Sequence, residues 1–232
     1  MQRLPLALAV HPSSWRLDGP GTEEDGAAQV FERDRHTCRF CGLWAAGHQE
    51  IFHLDGDHAR SEPGNLVTAC PLCHDCQHLG RDNIEQEFAV IWLPEVSQPM
   101  LNHVARAVHV VLHAHDEPAH MAERPRTDTP RLRAAFGTYR ALADRMGHAR
   151  RRIGTTSPRE LGAALISLPP AASARRAELT SGLRLLPRGR LSRDGEDIYP
   201  ALLDAWTTKD GPLESLPGTA PGTGQPGRSA AP

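Results

Sequence analysis

Two short cysteine pairs constrain this chain more than any other feature. Cys38-x-x-Cys41 and Cys70-x-x-Cys73 have twenty-eight residues between them, and Cys76 is the only other cysteine. Each C-x-x-C turn brings two sulfurs toward one point. Two such turns build the tetrahedral sulfur cage that zinc favours. Redox chemistry needs one pair, not two, and the paired spacing argues for metal thiolates in a reducing compartment rather than disulfides. Four thiolates leave no open coordination position, so the expectation is one structural Zn2+ on Cys38, Cys41, Cys70 and Cys73. Gly42 follows the first pair and permits its tight turn. Cys76 reads as a small buried hydrophobe, with a competing ligand as the other reading.

A length of 232 residues suits one domain, or a domain and a tail. The formal net charge of -2 describes no polycation seeking nucleic acid. Lys209 is the only lysine, so the positive charge is almost entirely arginine. Nine arginines lie between Arg124 and Arg152 against Asp128 and Asp144. That run is either a solvated helix face or a docking surface for an acidic partner segment. The apolar run Leu4–Val10 is interrupted by Pro5 and lacks a clean cleavage site, so a buried strand is expected rather than a signal peptide. No stretch approaches the roughly 20 apolar residues that span a bilayer. A cytoplasmic protein without direct membrane insertion is expected.

The rest of the chain reads as mixed α and β. Residues 1–18 suggest one or two short strands, 22–36 a helix, and Glu50–Leu54 a strand. A loop follows over 58–65 and a short helix from Cys70. Residues 87–96 are β-branched and aromatic, the mark of a buried strand ended by Pro94. Ser97 caps a helix to about His115, with Leu101, Val104, Ala105, Val108, Val111 and Leu112 on one stripe. After a polar linker, Thr129 and Pro130 are suited to N-cap and N1. Their helix reaches about Arg152, with Leu132, Phe136, Tyr139, Leu142 and Met146 inward. Further short helices are expected from Ser157 and within 173–187. The organisation expected is a single globular domain over 1–210. It holds a finger at about 22–80 and a helical region at about 97–205, followed by a disordered tail over 211–232.

Around the cysteines the chain is similar to the HNH (treble-clef) endonuclease module. Arg33-Asp34, Cys38-x-x-Cys41-Gly42, Asn65-Leu66 and Cys70-x-x-Cys73-His74 carry the likeness. It implies an α+β fold: an HNH-like treble-clef zinc finger embedded in a mainly helical domain with a few short strands. It also implies roles: His53 for the general base, Asn65 for the residue that orients it, and His74 for a ligand of the catalytic metal. Phe52 departs from the pattern, standing where active members carry a metal-binding His or Asp. Phe has no lone pair, and divalent metals carry much of phosphodiester hydrolysis. Asp55, Asp57, His58 or His78 are the candidate substitutes. From Glu50 to Glu62 four acids face Arg60 alone, which repels phosphates instead of neutralising them. His53, Asn65 and His74 are therefore expected to be inherited scaffold, with no catalytic residue.

Beyond the finger, "LALAVHPSSWR", "CRFCG", "NLVTACPLCHDC", "IWLPEVSQPMLN" and "LRLLPRGRL" make the chain similar to the IcmJ/DotN family of the Dot/Icm type IVB secretion system. The resemblance implies a non-catalytic, zinc-binding structural subunit of a coupling complex. It would bind a DotL-like coupling ATPase, beside a DotM-like subunit and adaptor proteins, and help recruit substrates. Its place would be cytoplasmic, peripheral to the inner membrane. The alternative is an active metal-dependent HNH endonuclease.

Overall fold

The computed structural model describes residues 2–10, 26–117 and 129–208; the expected tail over 211–232 lies outside them. The finger begins at α1 (Ala27–Arg33), whose expected acidic start, 22–25, also lies outside the described residues. The knuckle that follows closes on itself through a bridge between Thr37 and Trp44. Then β1 (Glu50–His53) pairs antiparallel with β2 (Leu66–Ala69), setting Phe52 opposite Val67 and His53 opposite Leu66. The chain turns directly into α2 (Pro71–Asp75). Buried Asp34 ties these pieces together. Its carboxylate accepts from the Thr68 amide at 2.9 Å and from the Arg33 guanidinium at 3.0 Å. Burial would raise its pKa, but those bonds hold it below the usual range.

The second half is built on a buried strand pair. A single turn, α3 (Ile84–Glu87), leads into β3 (Phe88–Trp92). Two long helices follow, α4 (Gln98–His113) and α5 (Pro130–Ile153), then three short ones, α6 (Pro158–Ile166), α7 (Pro170–Ser173) and α8 (Arg176–Leu179). The chain then returns as β4 (Leu183–Pro187), antiparallel to β3. The pair is covered on both faces. Phe88, Val90, Leu183 and Leu185 join the cluster that contains the cysteines, whereas Ile91 and Leu186 join Leu101, Leu112, Leu132 and Tyr139 from α4 and α5. Period-two alternation with both faces buried explains why Phe88 to Leu93 is continuously apolar. A small hairpin, β5 (Ser192–Arg193) and β6 (Glu196–Asp197), and α9 (Tyr199–Thr207) complete the described chain.

The helix signals hold. Ser97 and Thr129 accept from the backbone amides of Met100 and Leu132, and Gly154 ends α5 in the left-handed region at φ 80°. Among the described residues no helix is long and apolar enough to cross a membrane. One expectation fails. Residues 2–10 form no strand: they are held by separate bonds from the Leu4 amide to Arg39 and from the Leu79 amide to Ala9, and Pro5 has no amide to give to a ladder. The short helix expected within 173–187 forms as α8, and "LRLLP" after it is strand. Gly182, at φ 84°, makes the break, and its missing side chain admits the Trp92 ring, which would lie 2.7 Å from a Cβ. Strands β4, β5 and β6 also lie within 97–205.

Candidate metal centre

The four expected cysteines meet. One sulfur from each of Cys38, Cys41, Cys70 and Cys73 lies within 4.8 Å of the others, all four residues are buried, and none forms a disulfide. The Cys41 and Cys70 sulfurs are 3.7 Å apart. A tetrahedron with metal–sulfur bonds of about 2.3 Å has an edge of roughly 3.8 Å. Local backbone geometry sets the first pair, with the Gly42 amide donating to the Cys38 carbonyl at 2.9 Å. The second pair sits at the start of α2, where the Cys73 and His74 amides both reach the Cys70 carbonyl. Bonding among the sulfurs pulls the Cys41 thiol well below its ordinary value and pushes Cys70 and Cys73 well above theirs. Four sulfurs this close do not all ionise without a cation among them. Cys76 is wholly buried and lies outside the cage group, and burial pushes its thiol far up, as the small-hydrophobe reading expects.

Charge around the cage supports the same donor set. Arg106 of α4 is fully buried, and its Nη2 points at the Cys70 sulfur at 3.6 Å. Among the described residues no carboxylate pairs with it. Burial lowers its pKa, but the sulfurs of Cys70, Cys41 and Cys73 outweigh burial and raise it. A buried guanidinium without a counter-charge costs several kcal/mol. Four thiolates around a divalent ion carry a net double negative charge and supply that counter-charge. Asn102, one turn earlier, donates its amide to the Cys73 sulfur at 3.3 Å. His103 donates through Nε2 to the Cys41 carbonyl at 2.9 Å and accepts from Arg106 at Nδ1. The donor set therefore fits a divalent metal ion, and α4 supplies its surrounding polar contacts. Sequence reasoning missed these residues. The available signal was polar Asn102, Arg106 and His109 recurring at i, i+4 and i+7 in an apolar helix.

The nuclease-like constellation is only partly assembled. Phe52 is buried edge-on against Phe40, His74 and His78, with ring centroids 5.4, 5.7 and 5.6 Å away. His53 and His74 are linked through intermediates: His53 lies beside His58 at 4.6 Å, His58 beside His78 at 5.3 Å, and His78 beside His74 at 4.5 Å. Burial first, then the neighbouring His74 and His58, hold the His78 pKa well below its ordinary value. Asn65 is engaged in its loop, donating to Asp55 at 2.9 Å and to the Arg60 carbonyl at 2.8 Å. Asp55 and Asp57, proposed as substitute ligands, serve that same loop. The carboxylates beside His74 are instead Glu50 and Asp75, each 3.4 Å from its Nδ1. Glu50 lies two positions before Phe52 on β1, on the same strand face. Arg193 of β5 reaches both acids, at 2.7 Å to Glu50 and 3.1 Å to Asp75, and Arg81 bonds Asp75 from the other side.

The fold and site thus define an α- and β-containing protein organised around a buried four-cysteine centre fit for a metal ion. No family model matches the chain. It is 29% identical over 194 residues to the type 4 apparatus protein DotN of Legionella pneumophila, a match covering 80% of this chain and 85% of DotN. That match bears out the resemblance to the IcmJ/DotN family.

Proposed function

We propose that this protein is a non-catalytic structural subunit of a type IV secretion apparatus, in which one zinc ion on Cys38, Cys41, Cys70 and Cys73 holds an HNH-like treble-clef finger. The observation that carries the reading is the match to DotN along four fifths of the chain. The order knuckle, β1–β2 hairpin and α2 supports the treble-clef assignment. Sulfur ligands and tetrahedral spacing favour zinc, which would supply fixed geometry and no open site. The proposed single domain over 1–210 is supported by one hydrophobic cluster shared by the cysteines, β3, β4 and α9. In its complex the subunit would bind a DotL-like coupling ATPase beside a DotM-like subunit and adaptors, on the cytoplasmic side of the inner membrane, and help recruit substrates.

Phe52 supports the absence of catalysis. Its ring fills the place of a metal ligand, and the polar groups nearest His74 are neutralised by Arg193 and Arg81. Zinc-loaded protein incubated with plasmid DNA and magnesium, manganese or nickel should give no more nicking than a His53→Ala control. Nicking that disappears in His53→Ala would establish the endonuclease alternative.

A further inference from the structure

Glu50, His74 and Asp75 each offer one ligand atom within 4.8 Å of the other two. Two carboxylates and an imidazole suit a divalent ion such as Mn2+. A cation already stands there: the Arg193 guanidinium shares Nη2 between Glu50 and Asp75, and its side chain is 21% exposed. It comes from a hairpin more than a hundred residues further along the chain, outside the finger that holds the acids. We propose that Glu50, His74 and Asp75 form a latent divalent-cation site that the chain fills with its own Arg193, locking β5–β6 onto the finger.

Asp75 is wholly buried, and Glu50 is partly so. With Arg193 present, Glu50 and Asp75 are met by Arg193 and Arg81; Arg81 also pairs with Glu87, whose carboxyl is raised to about 7 and is protonated below that pH. Removing Arg193 leaves one negative charge uncompensated in a largely buried place, which is strongly unfavourable unless another cation enters. Lysine is no equal replacement, since a single ammonium does not reproduce the planar fork. Phe52 closes the neighbouring position, so an entering ion would take its ligands from Glu50, one pleat earlier, and from α2. The inference goes beyond the proposed function and does not depend on the secretion reading.

Mn2+ is the probe, because it competes poorly for thiolates. The full chain, zinc-loaded, is titrated with Mn2+ and the free ion is followed by its electron paramagnetic resonance signal. Wild type should leave Mn2+ free. Arg193→Gln should bind one equivalent, roughly tenfold or more tighter than wild type. Adding Glu50→Gln should remove that gain. Should Arg193→Gln fail to fold alone, added Mn2+ should restore its fold, read as a urea midpoint that rises with Mn2+ in the variant and not in wild type. Mn2+ binding by wild type as tight as by the variants overturns the proposal, and so does a folded variant that gains no affinity. Zinc content, measured on the same samples, reports separately on the cysteine cage.

Discussion

At the scale of single residues, the decisive chemistry is charge kept out of water. Arg106 is tolerable in the core where the sulfurs beside it carry negative charge, which an ion among them would hold in place. Arg106→Met should therefore hold its metal about 10–100-fold more weakly than wild type, the usual cost of losing an outer contact at a metal site. Arg106→Lys should recover part of the loss, and Cys38→Ala should lose the metal and the folded finger together. Competition with a chromogenic chelator measures all three; equal retention by Arg106→Met would contradict the account. Glu87 makes a second case. It is fully buried, accepts from the Ser192 amide and from Arg81, and its carboxyl is pushed up to about 7 by burial and then by Asp75. A carboxyl raised in the fold binds more protons there than in the unfolded chain. Its contribution is complete below its ordinary value and is lost as pH rises through about 7. Glu87→Gln should flatten this part of the stability profile, compared by urea midpoints at about pH 5 and about pH 8. An unchanged slope would count against it.

At the scale of elements, the β3–β4 pair joins the finger to the helices. Gln98 shows how closely α4 is fitted to it, since its buried amide both donates to and accepts from the Leu185 backbone at 2.8 Å. Gly182 lets β4 enter beneath the Trp92 ring. Gly182→Ala would place a methyl 2.7 Å from that ring at φ 84°, and should cost about 1–3 kcal/mol or more in urea unfolding. A variant as stable as wild type would show that β4 can be re-seated freely. The contrast between α5 and β4 shows what the sequence could tell. α5 was legible because its caps and apolar stripe are local. "LRLLP" reads equally as helix or strand, and only β3, about ninety residues away, decides it. The site divides the same way. The cysteines were legible from spacing, because each turn fixes its own pair. Arg193 was not, because nothing near position 193 points to Glu50.

At the scale of the whole molecule, the groups of the nuclease-like motif are engaged by the rest of the chain. α4 lies against the cysteine cage, Phe52 packs edge-on against His74, and Arg193 of β5 bonds the neighbouring acids. What remains outward includes the α5 surface, where Arg140, Arg150, Arg151 and Arg152 are exposed, with the Arg152 guanidinium 4.0 Å over the Trp92 ring. On the proposed reading, a metal-braced surface of this kind would serve a subunit of an assembly. The most direct test is co-purification of the zinc-loaded chain with the cytoplasmic part of a coupling ATPase from the same genome. The account predicts a stable complex that survives His53→Ala and is lost with Cys38→Ala. Failure of the folded, zinc-loaded chain to associate with that ATPase would contradict it.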